Sequence, residues 1–358
     1  MLFRSITGGI PGGKLTEIYG PNSSSKSLFG ANILFGTQKM KGIPVLMDCE
    51  NSANKEFIQV ASHCNLKRIV RHTPETLEEV FAKMYKVIEA ARAKTSSDVP
   101  IVIVYDSIGV SPSARELREV NLPEGYTKEQ FKKIVGANEQ PGERAKICSR
   151  ELRKLNTVME RHNATVVILN QTRDKIGTYV PTKTTAGGGN ALPFYASCRL
   201  ETKTMQKIEK KISAKKKKIL GINVKLKNVK NKTHRPFVES ENVQLLFDKG
   251  INPISGLLSC LLDAERIEIA GTGSFKVKPA FSNGEEVKFR ASMDRNDIPM
   301  EILLKCPSLI DANSTEQVEA YLEPYKAAIA GRAEDDADVE LSEVDSFADE
   351  AIDEELEG

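Results

Sequence analysis

The residues best equipped for chemistry fall in three short stretches. The run Gly20, Pro21, Asn22, Ser23, Ser24, Ser25, Lys26 and Ser27 approaches the G-x-x-x-x-G-K-[ST] pattern of a phosphate-binding loop, with Ser25 in place of the second glycine. Such a loop needs backbone N–H groups converging on anionic oxygens at a helix N-terminus. It also needs a lysine to reach the outer phosphates and a hydroxyl to hold Mg2+, which Lys26 and Ser27 supply. The second glycine permits an unusual backbone angle or close approach, and serine takes a left-handed angle only at a cost of roughly 1–2 kcal/mol. The loop is therefore handicapped while its reacting groups are intact, and a serine-rich strand-to-helix turn is the plain alternative. A second stretch ends in Asp106, an acid suited to Mg2+ through water. The third carries Asp48 and, two residues on, Glu50, which could act as a base across a γ-phosphate from Lys26. Singly, each acid is an ordinary polar strand end; with the loop they form a coherent ATPase set.

The elements that must position these groups are readable. LTEIY (15–19) reads as a strand ending at Gly20, and the apolar LFGANILFG after Ser27 reads as a helix. VLMD (45–48), IVIVYD (101–106) and ATVVILNQ (164–171) read as strands, the last two apolar enough for burial on both faces of a parallel sheet. Ligands of such sheets bind at the C-terminal strand edge, where Asp106 falls. Thr73-Pro74 is expected to open a helix, with Thr as cap and Pro at the first position. Leu77, Val80, Phe81, Met84, Ile88 and Ala91 are its apolar face. Pro112, Pro123 and Pro141 are expected to break regular structure over 111–142. A helix then runs from about Glu143 to Arg161, with Cys148, Leu152, Leu155 and Met159 on one side and Lys146, Arg150 and Arg153 on the other. Residues 172–193 read as a Gly/Thr-rich loop, and further strands are expected near 195–201, 222–229 and 243–247. The alternation predicts an α/β core with a mainly parallel twisted sheet over 1–262. A small α+β domain (263–331) and an acidic, disordered tail (332–358) follow.

Composition narrows the classes. No apolar run approaches about 18 residues, so no membrane span is expected, and the N-terminus lacks the layout of a secretory signal. Six scattered cysteines without a C-x-x-C pair point to reduced thiols in a cytoplasmic protein. The net charge of +2 conceals an asymmetry: 13 of the 49 acids lie in 334–358, which has no Lys or Arg. That leaves 36 acids against all 51 bases, about +15, over 1–333. A basic body suggests a polyanionic partner. The tail is either a solubilising segment or an internal competitor for that body, and it lacks the apolar surface to order itself.

With these motifs in place the chain resembles the RecA family of recombinases. TEIYGPNSSSKS, MDCENSANKEF and VIVYDSIG match its phosphate loop, catalytic-glutamate segment and magnesium strand. ILNQTRDKIG, TTAGGGNALPFYAS, VKLKNVKNK and LLFDKGINPISGLL match further on, over roughly residues 8–265. A non-glycine before Lys26 followed by SLFG is similar to the phage recombinases of the UvsX kind. The resemblance implies a RecA-like phosphate-loop ATPase that uses ATP and Mg2+. It assigns Gly20 to Ser27 to the phosphates, Glu50 to water activation, Phe57 to the adenine, and Asp106 and Ser107 with Ser27 to the metal site. Gln171 becomes the γ-phosphate sensor, and Lys230 and Lys232 reach the ATP of a neighbouring subunit. Read alone, Phe57 would be a core residue and VKNK a solvated strand end. Only about seven residues precede GGIPGG, where the resemblance implies a helix and strand that dock on the next subunit. The chain is expected either to polymerise another way or to lack that module.

The resemblance gives the flexible segments a purpose. Residues 111–142 and 172–193 correspond to two DNA-binding loops, with Arg173, Lys175, Gly187, Gly188, Gly189 and Asn190 in the second, and Lys146 and Arg153 at phosphate-contacting positions. By periodicity alone that helix face would be solvated. Eight lysines and one glutamate between Lys203 and Lys218 form either a solvated charge run or, with Lys225 and Lys227, a second site for duplex DNA on an extended hairpin. About eight phosphate contacts would give a salt slope near −6 to −7. Implied partners are single-stranded DNA, homologous duplex, further copies of the chain on DNA, and single-strand-binding or loading proteins. Three functions follow: an ATP-dependent recombination and repair protein that catalyses strand exchange, a RecA-fold accessory DNA-binding ATPase, and a hexameric helicase-type motor. The cytoplasm, a host's if phage-encoded, is the expected compartment.

Overall fold

The computed structural model describes residues 9–50, 59, 62–120, 142–174, 183–185, 189–211, 217–247, 250–291 and 298–330. Its centre is a twisted sheet in the order β10-β9-β8-β7-β1-β5-β4-β2-β3. The strands are β1 Leu15–Gly20, β2 Ile43–Asp48, β3 Val70–His72, β4 Ile101–Asp106, β5 Ala164–Asp174, β7 Cys198–Lys211, β8 Lys217–Asn231, β9 Glu239–Leu246 and β10 Gly250–Ile251, with β6 Lys183–Thr185 pairing to β5. From β3 through β7 the path pairs parallel; β7, β8, β9 and β10 run antiparallel.

Helices α1 Lys26–Lys39, α2 Leu77–Lys94, α3 Ala114–Val120, α4 Glu143–His162 and α5 Ala191–Tyr195 accompany the sheet. Ile18, Phe29, Leu34, Val104, Val167 and Leu169 form the core on the α1 face. Leu15, Val45, Met47, Tyr105 and Ile168 pack against the apolar stripes of α2 and α4 on the other. Central strands are buried on both faces, which is why IVIVYD and TVVIL are near-continuous apolar runs. Beyond α6 Leu257–Asp263, strands β11 Ile267–Gly271, β12 Ser274–Val277 and β13 Val287–Arg290 form an antiparallel sheet. Helices α7 Met300–Lys305 and α8 Thr315–Ala330 follow. Leu257, Leu258 and Leu261 of α6 already belong to this third core.

Two helix starts differ from the sequence expectation. Thr73-Pro74 does not open α2; Thr76 caps it, its hydroxyl accepting from the Glu79 N–H at 3.2 Å while the Glu79 carboxylate accepts from the Glu75 N–H at 2.7 Å. The signal present was T-x-x-E at 76–79. Within the expected irregular stretch 111–142, residues 114–120 form α3. Its start is a reciprocal capping box: Ser113 Oγ accepts from Glu116 N, and Glu116 Oε2 accepts from Ser113 N. Likewise β5 continues three residues past Gln171, and β7 and β8 are longer than expected, forming the extended hairpin. All six cysteines are free thiols, five of them buried.

Candidate nucleotide site

The strand register brings the predicted groups to one edge. β1 runs parallel to β5 with Gly20 opposite Gln171, and β2 runs parallel to β4 with Asp48 opposite Asp106. The loop between β1 and α1 turns through two left-handed residues, Ser23 (φ 57°) and Ser25 (φ 65°). Serine at 25 thus takes the conformation a glycine would adopt freely. Such alternation turns successive N–H groups toward one point, a concavity suited to an anion. Gly20 is required for a different reason: a Cβ there would stand 2.3 Å from both the carbonyl and hydroxyl oxygens of Thr202 on β7. Ser24 is pinned by a 2.8 Å hydroxyl contact with the same Thr202.

Lys26 is only 8% exposed. Its ammonium donates to the loop carbonyls of Pro21 (2.7 Å) and Gly20 (3.2 Å) and to Ser24 Oγ (3.4 Å). Burial lowers its pKa, while Asp106 and Glu50 oppose that shift. Burial also pushes the Asp106 carboxyl up to about 6, against a lowering hydrogen bond from Ser27; the carboxylates of Glu50 and Asp48 raise it further. Asp48 is ion-paired with Arg71 at 2.6 Å. Glu50 Oε1 accepts from Ser107 Oγ at 2.9 Å and from Gln171 Nε2 at 3.3 Å.

These residues fit a nucleotide with Mg2+. Carboxylates crowded at a partly buried edge call for a cation, and the Ser27–Asp106 pair offers a hydroxyl and a carboxylate. Among the described residues no cluster of three or more His, Cys, Asp or Glu could hold a metal alone. Mg2+ takes few protein ligands and completes its shell with water and phosphate oxygens.

Other predicted residues are distributed more widely. Lys230 donates to the carbonyls of Pro193 (2.7 Å) and Phe194 (3.0 Å) on α5. The Lys232 N–H donates to Ser197 O at 2.9 Å. Lys146 and Arg153 are exposed on α4, Arg153 Nε lying 3.4 Å from the Tyr195 hydroxyl. Gly189 has a left-handed φ of 53° and Asn190 precedes α5; Arg173 lies on β5 opposite Thr184 of β6. Phe57, Lys175, Gly187 and Gly188 lie outside the described residues. Lys225 and Lys227 do not form an unpaired basic stripe. Lys225 is paired with Glu239 at 2.6 Å and Glu241 at 2.7 Å, and Lys227 with Glu239. The register of β9 against β8 supplies these acids, which the sequence run VKLK gave no sign of. Sequence reasoning also missed Glu17: it is fully buried on β1 and bonded to Arg199 and Asn170. A charged residue inside the strand LTEIY was the available signal.

A glycine-initiated loop with a buried lysine, at the C-terminal edge of a parallel sheet, defines an α/β protein of the phosphate-loop class. The profile of the RecA N-terminal domain matches residues 4–252, and the chain belongs to the RecA family. Protein RecA of Mycoplasma mycoides is 31% identical over 264 residues, 74% of this chain and 68% of that protein. Protein RecA of Thermus thermophilus is 29% identical over 299 residues, 83% and 79% of the two chains. A crystal structure of the RadB recombinase aligns over 68% of this chain and 91% of its own, at 18% identity and a TM-score of 0.45, a likeness too remote to bear on activity. Among the described residues no helix is long and apolar enough to cross a membrane.

Proposed function

We infer that the chain is an ATP-dependent recombination and repair protein that binds single-stranded DNA and promotes homologous pairing and strand exchange, hydrolysing ATP in response to DNA. The observation that carries this reading is the convergence on Glu50: one carboxylate oxygen accepts from both Ser107, beside the metal strand, and Gln171, at the root of the second DNA loop. A base and a sensor that share a hydrogen bond give DNA a short route to the reacting centre. ATP and Mg2+ would supply the γ-phosphoryl group and the charge that neutralises it in the transition state. Lys26 would exchange neutral loop carbonyls for phosphate oxygens, whose negative charge favours the ammonium that burial disfavours. Ser27 and Asp106 would hold the metal side. Glu50 would take the proton of the attacking water, and the adenine contact is assigned to Phe57 on the family resemblance alone.

On the DNA side we assign phosphate contacts to Lys146, Arg153, Arg173 and Lys175, and close backbone approach to 187–190. Lys203 and Lys207, exposed on the β7–β8 hairpin, face the duplex; Lys225 and Lys227 contribute less because their charge is already matched. Lys230 and Lys232 complete the site of a neighbouring copy. The phage UvsX likeness rests on Ser25 ahead of Lys26, and the division at 262 and 331 belongs to this reading. The test is strand exchange: displacement of a labelled strand from duplex by a homologous single strand, with ATP. The expected result is displacement that needs homology, ATP and Lys26. ATP-stimulated DNA binding without displacement would leave only an accessory role, and ring-shaped particles by electron microscopy would favour a helicase-type motor.

A further inference from the structure

Glu17 lies on β1, three residues before the phosphate loop, and its carboxylate is fully buried. An isolated charge there would be costly, so its partners matter. Oε2 accepts from Arg199 Nε of β7 at 2.5 Å, and Oε1 accepts from Asn170 Nδ2 of β5 at 2.9 Å. The Arg199 guanidinium lies 4.6 Å from the centre of the Tyr19 ring. One anion therefore ties three neighbouring strands just below the loop.

Each partner leads to a functional group. Asn170 Oδ1 accepts from the backbone N–H of Gln171 at 2.9 Å, and the Gln171 side chain donates to Glu50. Arg199 is the cross-strand partner of Lys230, whose ammonium closes on the carbonyls at the end of α5. The cations Arg199, Lys230 and Lys232 gather on this face. Lys232 and Arg199 disfavour the charged form of Lys230, after burial, and Glu17 supports it. A buried ion pair does little for net stability compared with an apolar replacement, so a specific arrangement is the better reason for its presence.

We propose that Glu17 is a positioning residue that couples the Gln171 sensor, through Asn170, to Lys230, through Arg199, so that the γ-phosphate response within one subunit and the lysine offered to the next are set by one buried carboxylate. This rests on the DNA-dependent ATPase reading above. Glu17 touches no reacting atom, so nucleotide binding by the DNA-free protein is not its task.

The test uses the full chain as wild type, Glu17→Gln, Lys230→Ala and the double variant. For each, ATP hydrolysis is measured with and without single-stranded DNA, affinity for a fluorescent ATP analogue is measured without DNA, and stability is followed by urea unfolding. Glu17→Gln should bind the analogue within about threefold of wild type yet lose about 10- to 100-fold of the DNA-stimulated rate, as misplacement of a catalytic group does. The double variant should be no worse than the weaker single one, because both changes break one pathway. Additive losses, or an analogue-binding loss in step with the rate loss, would overturn the proposal. Should the Gln variant fail to fold, Glu17→Asp decides, since it keeps the charge and shortens the reach. Lost stimulation with retained binding then supports positioning, and wild-type stimulation overturns it. A wild-type protein whose hydrolysis ignores DNA would overturn the parent reading together with this one, whereas stimulated wild type with an unaffected Glu17→Gln would overturn this one alone.

Discussion

The nucleotide edge and the β7–β8 hairpin are both polar, yet they are built in opposite ways. At the edge, Ser24, Lys26, Asp48 and Ser107 are buried, and each is held by another group of the site or the sheet. On the hairpin, residues 203–207 are exposed, and the acids of β9 hold Lys225 and Lys227 at its base. The difference follows from the task proposed for each. Reacting groups gain from fixed geometry and a low local dielectric. A surface for a polyanion gains from side chains that adjust and lose little when solvated.

The contrast predicts steep effects at the edge and shallow ones on the hairpin. Glu50→Gln should lower the hydrolysis rate by about 10²–10⁴-fold, as loss of a general base does, with nucleotide affinity measured alongside and little changed. Gly20→Ala should destabilise the fold by about 1–3 kcal/mol or more in urea unfolding, because the new methyl meets the backbone and hydroxyl of Thr202.

Asp106 gives a prediction of opposite sign. Burial pushes its folded pKa up to about 6, above the ordinary value of 3.8 for an aspartate. The folded state therefore binds the proton more tightly, and its nucleotide-free stability should fall as pH rises from about 4 to 6. Asp106→Asn should raise nucleotide-free stability at pH 7 by about 1–3 kcal/mol while abolishing magnesium-dependent hydrolysis. Ser25→Gly should add about 1 kcal/mol by relieving the left-handed serine, with hydrolysis retained. Lys146→Gln on α4 should reduce the salt slope of single-strand binding by about 0.7, and Lys225→Gln at the hairpin base, the smallest effect, by much less, because Glu239 and Glu241 already match its charge.

How far the sequence could be read follows the same division. Gly20 and Asp106 were legible because each ends a strand whose apolar run sets its register, so type and place came together; Lys26 opens α1 just past such a strand end, and Gln171 follows just after the apolar run of β5. The left-handed Ser25 followed from the pattern alone. The caps at Thr76 and Ser113 were legible as T-x-x-E and S-x-x-E; the more conspicuous prolines drew the prediction away from them. Pairings that arise only when distant strands align could not be read: Lys225 with Glu239 and Glu241, and Glu17 with Arg199, 182 residues apart. No spacing rule links such residues, because the register of the assembled sheet creates the contact.

The central claim, that ATP chemistry at this edge answers to DNA, is tested most directly by steady-state ATP hydrolysis with and without single-stranded DNA, for wild type and Lys26→Ala. The account predicts a rate strongly raised by DNA in the wild type and lost, by about 10²–10³-fold, when the lysine that meets the phosphates is removed. A wild-type rate indifferent to DNA, or a DNA-stimulated rate that survives without Lys26, would contradict it.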